Sequence, residues 1–222
     1  MRKFKILLFI AIQMIELVLI IILCIKVMNP ATLNYSVLIG KTVEIHIVDE
    51  NGNEGFATGA KIKQGIITNK HVVYSSNHFY NTIEFRESDK KEYIPISVDK
   101  IIIDADSDLA LLEFKTDDYL HLNYDFKIGD ACFTIGNPNG NGLGVSFGNI
   151  STINYIDSVC IDSVIRLDMT LNKGNSGGPL MNKKGKLIGL ISFRLKDNNG
   201  DILNGIAYAI TSSTIQKFLS SI

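Results

Sequence analysis

Two hydrophobic patterns divide the chain. Residues 6–25 read ILLFIAIQMIELVLIIILCI, an apolar run interrupted in its middle by Gln13 and Glu16. As a helix, such a run spans about 30 Å, the thickness of a bilayer's hydrocarbon core. Beyond it the pattern changes to short alternating segments rich in β-branched residues, separated by Gly, Asn and Asp clusters. KTVEIHIVD (41–49), AKIKQGIIT (60–68), TIEF (82–85), EYIPISVDKIIID (92–104) and DLALLEF (108–114) form a first group. ACFTIG (131–136), VSFGNISTI (145–153), SVIRLDMT (163–170), KLIGLISF (186–193) and GIAYAI (205–210) form a second. Strands of this length with regular turn signals predict an all-β sandwich or a pair of barrels. A helical period returns only at the C-terminus. There Ile215, Phe218, Leu219 and Ile222 share a face, and Ser213 and Gln216 have capping-box spacing.

The N-terminal run reads as an uncleaved membrane anchor. Fifteen of its twenty residues are Leu, Ile, Val or Phe, together favouring insertion by roughly 5–9 kcal/mol. That exceeds a cost of about 3 kcal/mol for a central charge such as Glu16. Arg2, Lys3 and Lys5 precede the run and only Lys26 follows closely, which keeps the N-terminus in the cytoplasm. A cleaved signal would end in a small-x-small site, and Lys26-Val27-Met28-Asn29-Pro30 contains none. A lipoprotein reading of Cys24 fails because the preceding Ile-Ile-Leu is too bulky. The expected layout is a cytoplasmic tail (1–5), a single transmembrane signal-anchor helix (6–25), a linker (26–35) and an extracytoplasmic domain (36–222) at the cell membrane.

Composition narrows the chemistry. The chain has 222 residues, with 22 Lys plus Arg against 23 Asp plus Glu, so no global field favours nucleic acid. Cys24, Cys132 and Cys160 show no metal-ligand spacing, and no metal is expected. Cys132 and Cys160 read as two buried thiols, with a disulfide between them as the alternative in an oxidising compartment.

The stretch NKGNSGGPL (172–180) places Gly174, Gly177 and Gly178 around Ser176. Glycines are costly to order, so such a run marks either a tight turn or a backbone that approaches something closely. A nucleophilic serine needs a base within hydrogen-bond reach and a carboxylate to hold the base's tautomer. Of four histidines, His46 sits in an alternating strand, and His78 and His121 lie in polar loop sequence. His71 follows GIITNK, just past a strand that ends in turn-forming residues. Asp104, Asp106 and Asp108 lie two residues apart, and periodicity alone does not choose among them. Asp108 opens the apolar segment DLALLEF, where a carboxylate can be buried. The resulting order, His then Asp then Ser, is that of chymotrypsin-like proteases.

TGAKIKQGIITNKHVV, DADSDLALLEF, IGNPNGNGLGVSFGNIS, LDMTLNKGNSGGPL, GKLIGLISF and NGIAYAI occur in the order and approximate spacing of trypsin-like serine proteases of the HtrA/Deg type, which the chain resembles over residues 36–222. The resemblance implies two six-stranded antiparallel β-barrels, about 36–121 and 122–212, with the active site between them and a C-terminal helix. It implies a triad of His71, Asp108 and Ser176, and an oxyanion hole at the Gly174-Asn175-Ser176 turn. Ser192 takes the position of a serine that bonds the catalytic aspartate. Ser192, Phe193 and Arg194 would pair with the substrate backbone, while Thr170, Leu171, Ile206 and Tyr208 would line the specificity pocket. The reaction implied is peptide hydrolysis without cofactor. Asn175 replaces the Asp that digestive members carry, so activation by cleavage is not implied. The PDZ domain usual in this type is not expected after the C-terminal helix.

Three readings remain open at this stage. The favoured one is a membrane-anchored serine endopeptidase acting on extracytoplasmic polypeptides in quality control or regulatory processing. The others are an inactive protease-like binding module and a secreted soluble protease. A homo-oligomer is compatible with each.

Overall fold

The computed structural model describes residues 2–28, 33–88, 90–155, 163–196 and 202–222. It divides into two compact units, Met1–Asn34 and Tyr35–Ile222. The first unit is built on helix α1 (Arg2–Met28). Among the described residues, no helix is long and apolar enough to cross a membrane. The apolar run of α1 is broken by polar side chains. Within that run the Gln13 side chain donates to Glu16 Oε2 at 3.0 Å, a polar pair in mid-helix. The transmembrane span expected over 6–25 therefore has no support in the structure.

The second unit is all-β apart from short helices. It opens with α2 (Tyr35–Gly40), then β1 (Thr42–Val48), β2 (Glu54–Ile62) and β3 (Gly65–Thr68). A single helical turn, α3 (Lys70–Val73), leads to β4 (Tyr74–Ser75), β5 (His78–Phe79), β6 (Thr82–Glu87), β7 (Ile94–Pro95), β8 (Ile101–Ile103) and β9 (Ala110–Glu113). After a connection come β10 (Ala131–Gly136), β11 (Gly144–Tyr155), β12 (Ser163–Leu167), β13 (Pro179–Asn182), β14 (Leu187–Lys196), β15 (Ile202–Thr211) and α4 (Ser212–Ser221).

Strands β10–β15 form a closed six-stranded barrel in the order β10-β11-β12-β15-β14-β13. The N-terminal half departs from the expected six-stranded barrel. It is a seven-stranded sheet, ordered β7-β6-β1-β2-β3-β9-β8, in which the edges β7 and β8 do not pair. Residues 92–104, read as one strand, split at Pro95 and at a 3₁₀ turn over Val98–Lys100. Proline has no N–H to donate and ends a ladder, so β7 is two residues long and sits at the edge. The helix over 35–40 is too short to show a period, and the strand at 179–182 follows a glycine-rich turn, so neither carries a sequence pattern of its own. At the C-terminal helix the N-cap is Thr211, whose hydroxyl accepts the N–H of Thr214 at 3.3 Å. The Ser213 capping box therefore does not form.

Each half has its own core. Val43, Ile45, Ile66, Phe85 and Leu112 are among the buried residues of the first, and Ile150, Ile165, Leu167, Leu180 and Ile188 of the second. Each such side chain contributes about 1.5–3 kcal/mol. The halves meet through polar bonds as well. Asn137, just past β10, donates from Nδ2 to Glu44 Oε2 of β1 at 2.8 Å. Arg86 of β6 donates to both oxygens of Glu44 at 3.0 Å. The buried carboxylate is thus paired, as a buried charge must be.

Candidate active site

The strand β3 ends at Thr68, and the buried Asn69 turns the chain into the one-turn helix that carries His71. Val72 and Val73 bury themselves in the N-terminal core, which turns the preceding His71 outward. Its imidazole is 49% exposed. His71 Nδ1 lies 2.8 Å from Asp108 Oδ2, and its backbone N–H donates to Asp108 Oδ1 at 2.9 Å. Asp108 sits at the mouth of β9, anchored by the buried Leu109 beside it. Its main-chain oxygen accepts from Asn69 Nδ2 at 3.1 Å. The hydroxyl of Ser192, on β14, donates to Asp108 Oδ2 at 2.7 Å and joins the two halves at the carboxylate.

Burial pushes the Asp108 carboxyl up, but the His71 bond and charge and the Ser192 bond outweigh it and hold it below the usual carboxylate value. The neighbouring aspartates do otherwise. Asp104 accepts from the Ser107 hydroxyl and from the Asp106 N–H, and Asp106 is exposed. The structure thus brings Asp108, of the three, to His71.

The turn after Leu171 shows why its glycines are there. Gly174 has φ 96°, and a Cβ on it would lie 2.0 Å from Asn137 O. A Cβ on Gly177 would lie 2.0 Å from Thr58 O. Both requirements hold at once: a left-handed backbone and a close approach that no side chain survives. Asn139 N–H donates to Lys173 O at 2.7 Å, Gly178 N–H to Asn175 O at 3.0 Å, and Asn175 N–H to Asn172 O at 3.2 Å. Among the described residues, the N–H groups of Gly174 and Ser176 have no protein acceptor. Of the three residues expected at an oxyanion hole, then, Asn175 has its amide engaged, whereas Gly174 and Ser176 keep theirs free. The hydroxyl of Ser176 donates to Ser192 O at 3.2 Å rather than to His71.

The residues expected at the specificity pocket separate. Thr170 is exposed and Ile206 half-buried, while Leu171 and Tyr208 are almost wholly buried. Leu171 packs into the C-terminal core. Phe193 and Arg194 stand in β14 opposite Tyr208 and Ala207, but their side chains lie outside the described residues. A cavity of about 400 Å³ beside the imidazole is lined by Tyr74, Ser75, Asn77, Ala105 and Asp106, among others. Cys132 is a buried free thiol, pushed up to about 12 by burial and by Asp168 and Asp130. Cys160 lies outside the described residues. Sequence reasoning missed Thr58, Asn69 and Asn137, three buried polar residues that brace the site. The one available signal was a polar residue at an inward position of an apolar segment.

Residues 54–190, more than half of the chain, match the family described as trypsin-like peptidase domain. A probable serine protease do-like of Buchnera aphidicola is 32% identical over 174 residues, 75% of this chain and 33% of that protein. The periplasmic serine endoprotease DegP of Escherichia coli K12 is 31% identical over 162 residues, 70% of this chain and 32% of its own. Serine endoprotease DegS of Haemophilus influenzae is 28% identical over 195 residues, 84% of this chain and 55% of its own. The chain thus spans about a third to a half of the length of these relatives. Among solved structures, the HtrA-type protease AlgW with tripeptide superposes with a TM-score of 0.71 at 24% identity, covering 86% of this chain and 64% of that one. The active form of the Rv3671c protease from M. tuberculosis gives 0.69 at 18%, covering 88% and 85%. At these identities the two structures speak to the fold.

Proposed function

The chain belongs to the trypsin-like peptidase domain family, and on that premise we propose that it is a serine endopeptidase whose nucleophile is Ser176. In this reading Ser176 Oγ attacks the scissile carbonyl while His71 Nε2 takes its proton and later returns it to the leaving amine. Asp108 holds the imidazole through Nδ1 and stabilises the cation that forms. The free N–H groups of Gly174 and Ser176 receive the developing oxyanion, a role worth ~2.7–4 kcal/mol for each donor. The observation that carries the reading is the 2.8 Å contact of His71 Nδ1 with an Asp108 carboxylate that also accepts from Ser192. Three segments distant in sequence meet there in the arrangement a general base requires.

A fluorophosphonate probe tests it. Labelling at Ser176 that disappears in Ser176→Ala and in His71→Ala supports the proposal. A folded chain that never labels overturns it in favour of the second reading, a binding module without catalysis. One observation favours that second reading: the Ser176 hydroxyl is bonded to Ser192 O and not to the base.

The proposal extends to place and substrate. A catalytic unit outside the cytoplasm is supported by the relative named as periplasmic. Substrates are then polypeptides of that compartment. A catalytic unit that resists protease added outside intact spheroplasts would count against this location. Self-association is part of the reading as well. Tyr35 and Phe147 are exposed with their rings 5.6 Å apart, an apolar face that suits a second copy. Light scattering on Phe147→Asp tests it, and an unchanged mass would remove that face from the proposal.

A further inference from the structure

We propose that Thr58 is a positioning residue for the oxyanion hole, acting through its hydroxyl across the junction of the two halves; the inference rests on the protease reading above. Thr58 lies on β2, in the N-terminal sheet, and is 0% exposed. Its hydroxyl donates to Gly174 O at 2.6 Å and accepts from Asn137 N–H at 3.0 Å. Its own N–H donates to Ser176 O at 2.9 Å. One residue of the N-terminal half thus holds main-chain atoms on both sides of Asn175 in the other half.

The bonds form a ring. From Thr58 Oγ1 the path runs to Gly174 O, back along the chain to Lys173 O, across to Asn139 N–H at 2.7 Å, and through Pro138 to Asn137 N–H, which returns to Thr58 Oγ1. The peptide between Lys173 and Gly174 lies inside this ring, and its N–H is a donor of the proposed hole. Its carbonyl is pinned by Asn139, and the next carbonyl is pinned by Thr58. Rotating the peptide so that its N–H turned away would break the bond to Lys173 O.

A hydroxyl is required for this, because the site needs one donor and one acceptor on the same atom. Valine has the same shape and supplies neither. With Thr58→Val, Gly174 O and Asn137 N–H lose their shared partner in a buried place, where unmade bonds are most costly. The ring then opens on the side that faces the N-terminal half. A hole acts on the transition state more than on bound substrate, so the effect belongs in kcat and not in KM.

The test compares wild type, Thr58→Val and Thr58→Ser on one peptide substrate, with rates normalised to folded protein by circular dichroism. Thr58→Val is expected to lower kcat roughly 100-fold, the loss associated with one oxyanion donor, with KM within about threefold of wild type. Thr58→Ser restores the hydroxyl and is expected to return kcat to within about threefold. Should Thr58→Val fail to fold, Thr58→Ser decides alone, since retained turnover supports the hydroxyl's role and a 100-fold loss overturns it. An unimpaired Thr58→Val, or a loss carried by KM, also overturns it. A wild-type chain that neither labels at Ser176 nor cleaves overturns the protease reading, and this inference with it. A wild-type chain that cleaves beside an equally active Thr58→Val overturns this inference alone.

Discussion

Ser192 meets the site twice: its hydroxyl donates to Asp108 Oδ2 at 2.7 Å, and its main-chain oxygen accepts the Ser176 hydroxyl at 3.2 Å. The side chain serves the carboxylate and the backbone holds the nucleophile. Ser192→Ala separates the two, because it removes the first contact and leaves the second. A hydrogen bond to a charged group is worth ~1.5–3 kcal/mol, so turnover should fall roughly 10- to 100-fold while probe labelling stays on Ser176. Turnover equal to wild type would show that Ser192 does not tune Asp108.

Asp108→Asn should cut turnover by about 10⁴-fold, because an amide cannot hold His71 in the required tautomer. Asp106→Asn should change turnover little, since that side chain is exposed. Steady-state kinetics on the two variants checks the assignment, and a larger loss at Asp106 reverses it.

The depressed Asp108 carboxyl also makes a statement about stability. A group whose folded pKa lies below its unfolded value stabilises the fold above the unfolded value, about 3.9 for Asp. That contribution disappears as pH falls through the lower, folded value. Urea unfolding from pH 6 downward should therefore show stability lost in acid. Asp108→Asn should lose less over the same range, and parallel curves would contradict the shift.

Cys132 has the opposite sign. With its thiol pushed up to about 12, it stays protonated in the folded chain where an unfolded thiol, near 8.5, has ionised. Folding should therefore weaken as pH rises above about 8.5, and native Cys132 should resist a disulfide-exchange reagent at pH 8. Mass spectrometry after labelling decides; rapid native modification of Cys132 would mean that its burial is transient.

Specificity should be loose and aliphatic. Of the residues expected at the pocket, Thr170 and Ile206 keep exposed surface and carry no charge, so a Lys or Arg entering a pocket beside them would lose solvation without a partner. Cleavage after Val, Ala or Ile is expected from a peptide library, with neighbouring aliphatics separated by only ~1–3 kcal/mol. Dominant cleavage after Lys, Arg or Glu would remove Thr170 and Ile206 from the pocket.

Local sequence determined the strands and the glycines. Short apolar and β-branched runs bounded by turn residues placed β1, β9 and β10, which are buried along most of their length, and Gly174 and Gly177 mark a close approach without naming its target. Alternation could not close a sheet. Whether β7 pairs with β8 depends on Pro95 and on the turn at Val98–Lys100, which act through the ladder and not through hydrophobicity. The choice of Asp108 over Asp104 and Asp106 was likewise tertiary in the residues themselves, since all three share a period and one reaches His71. The partners of the turn were the least legible. Thr58 and Gly174 stand 116 residues apart, and a hydroxyl in a strand reads as an ordinary polar position until the fold brings a carbonyl to it. The fold alone decides what faces a buried donor, because hydrogen-bond partners are set by geometry to within a few tenths of an ångström and sequence spacing carries no such information.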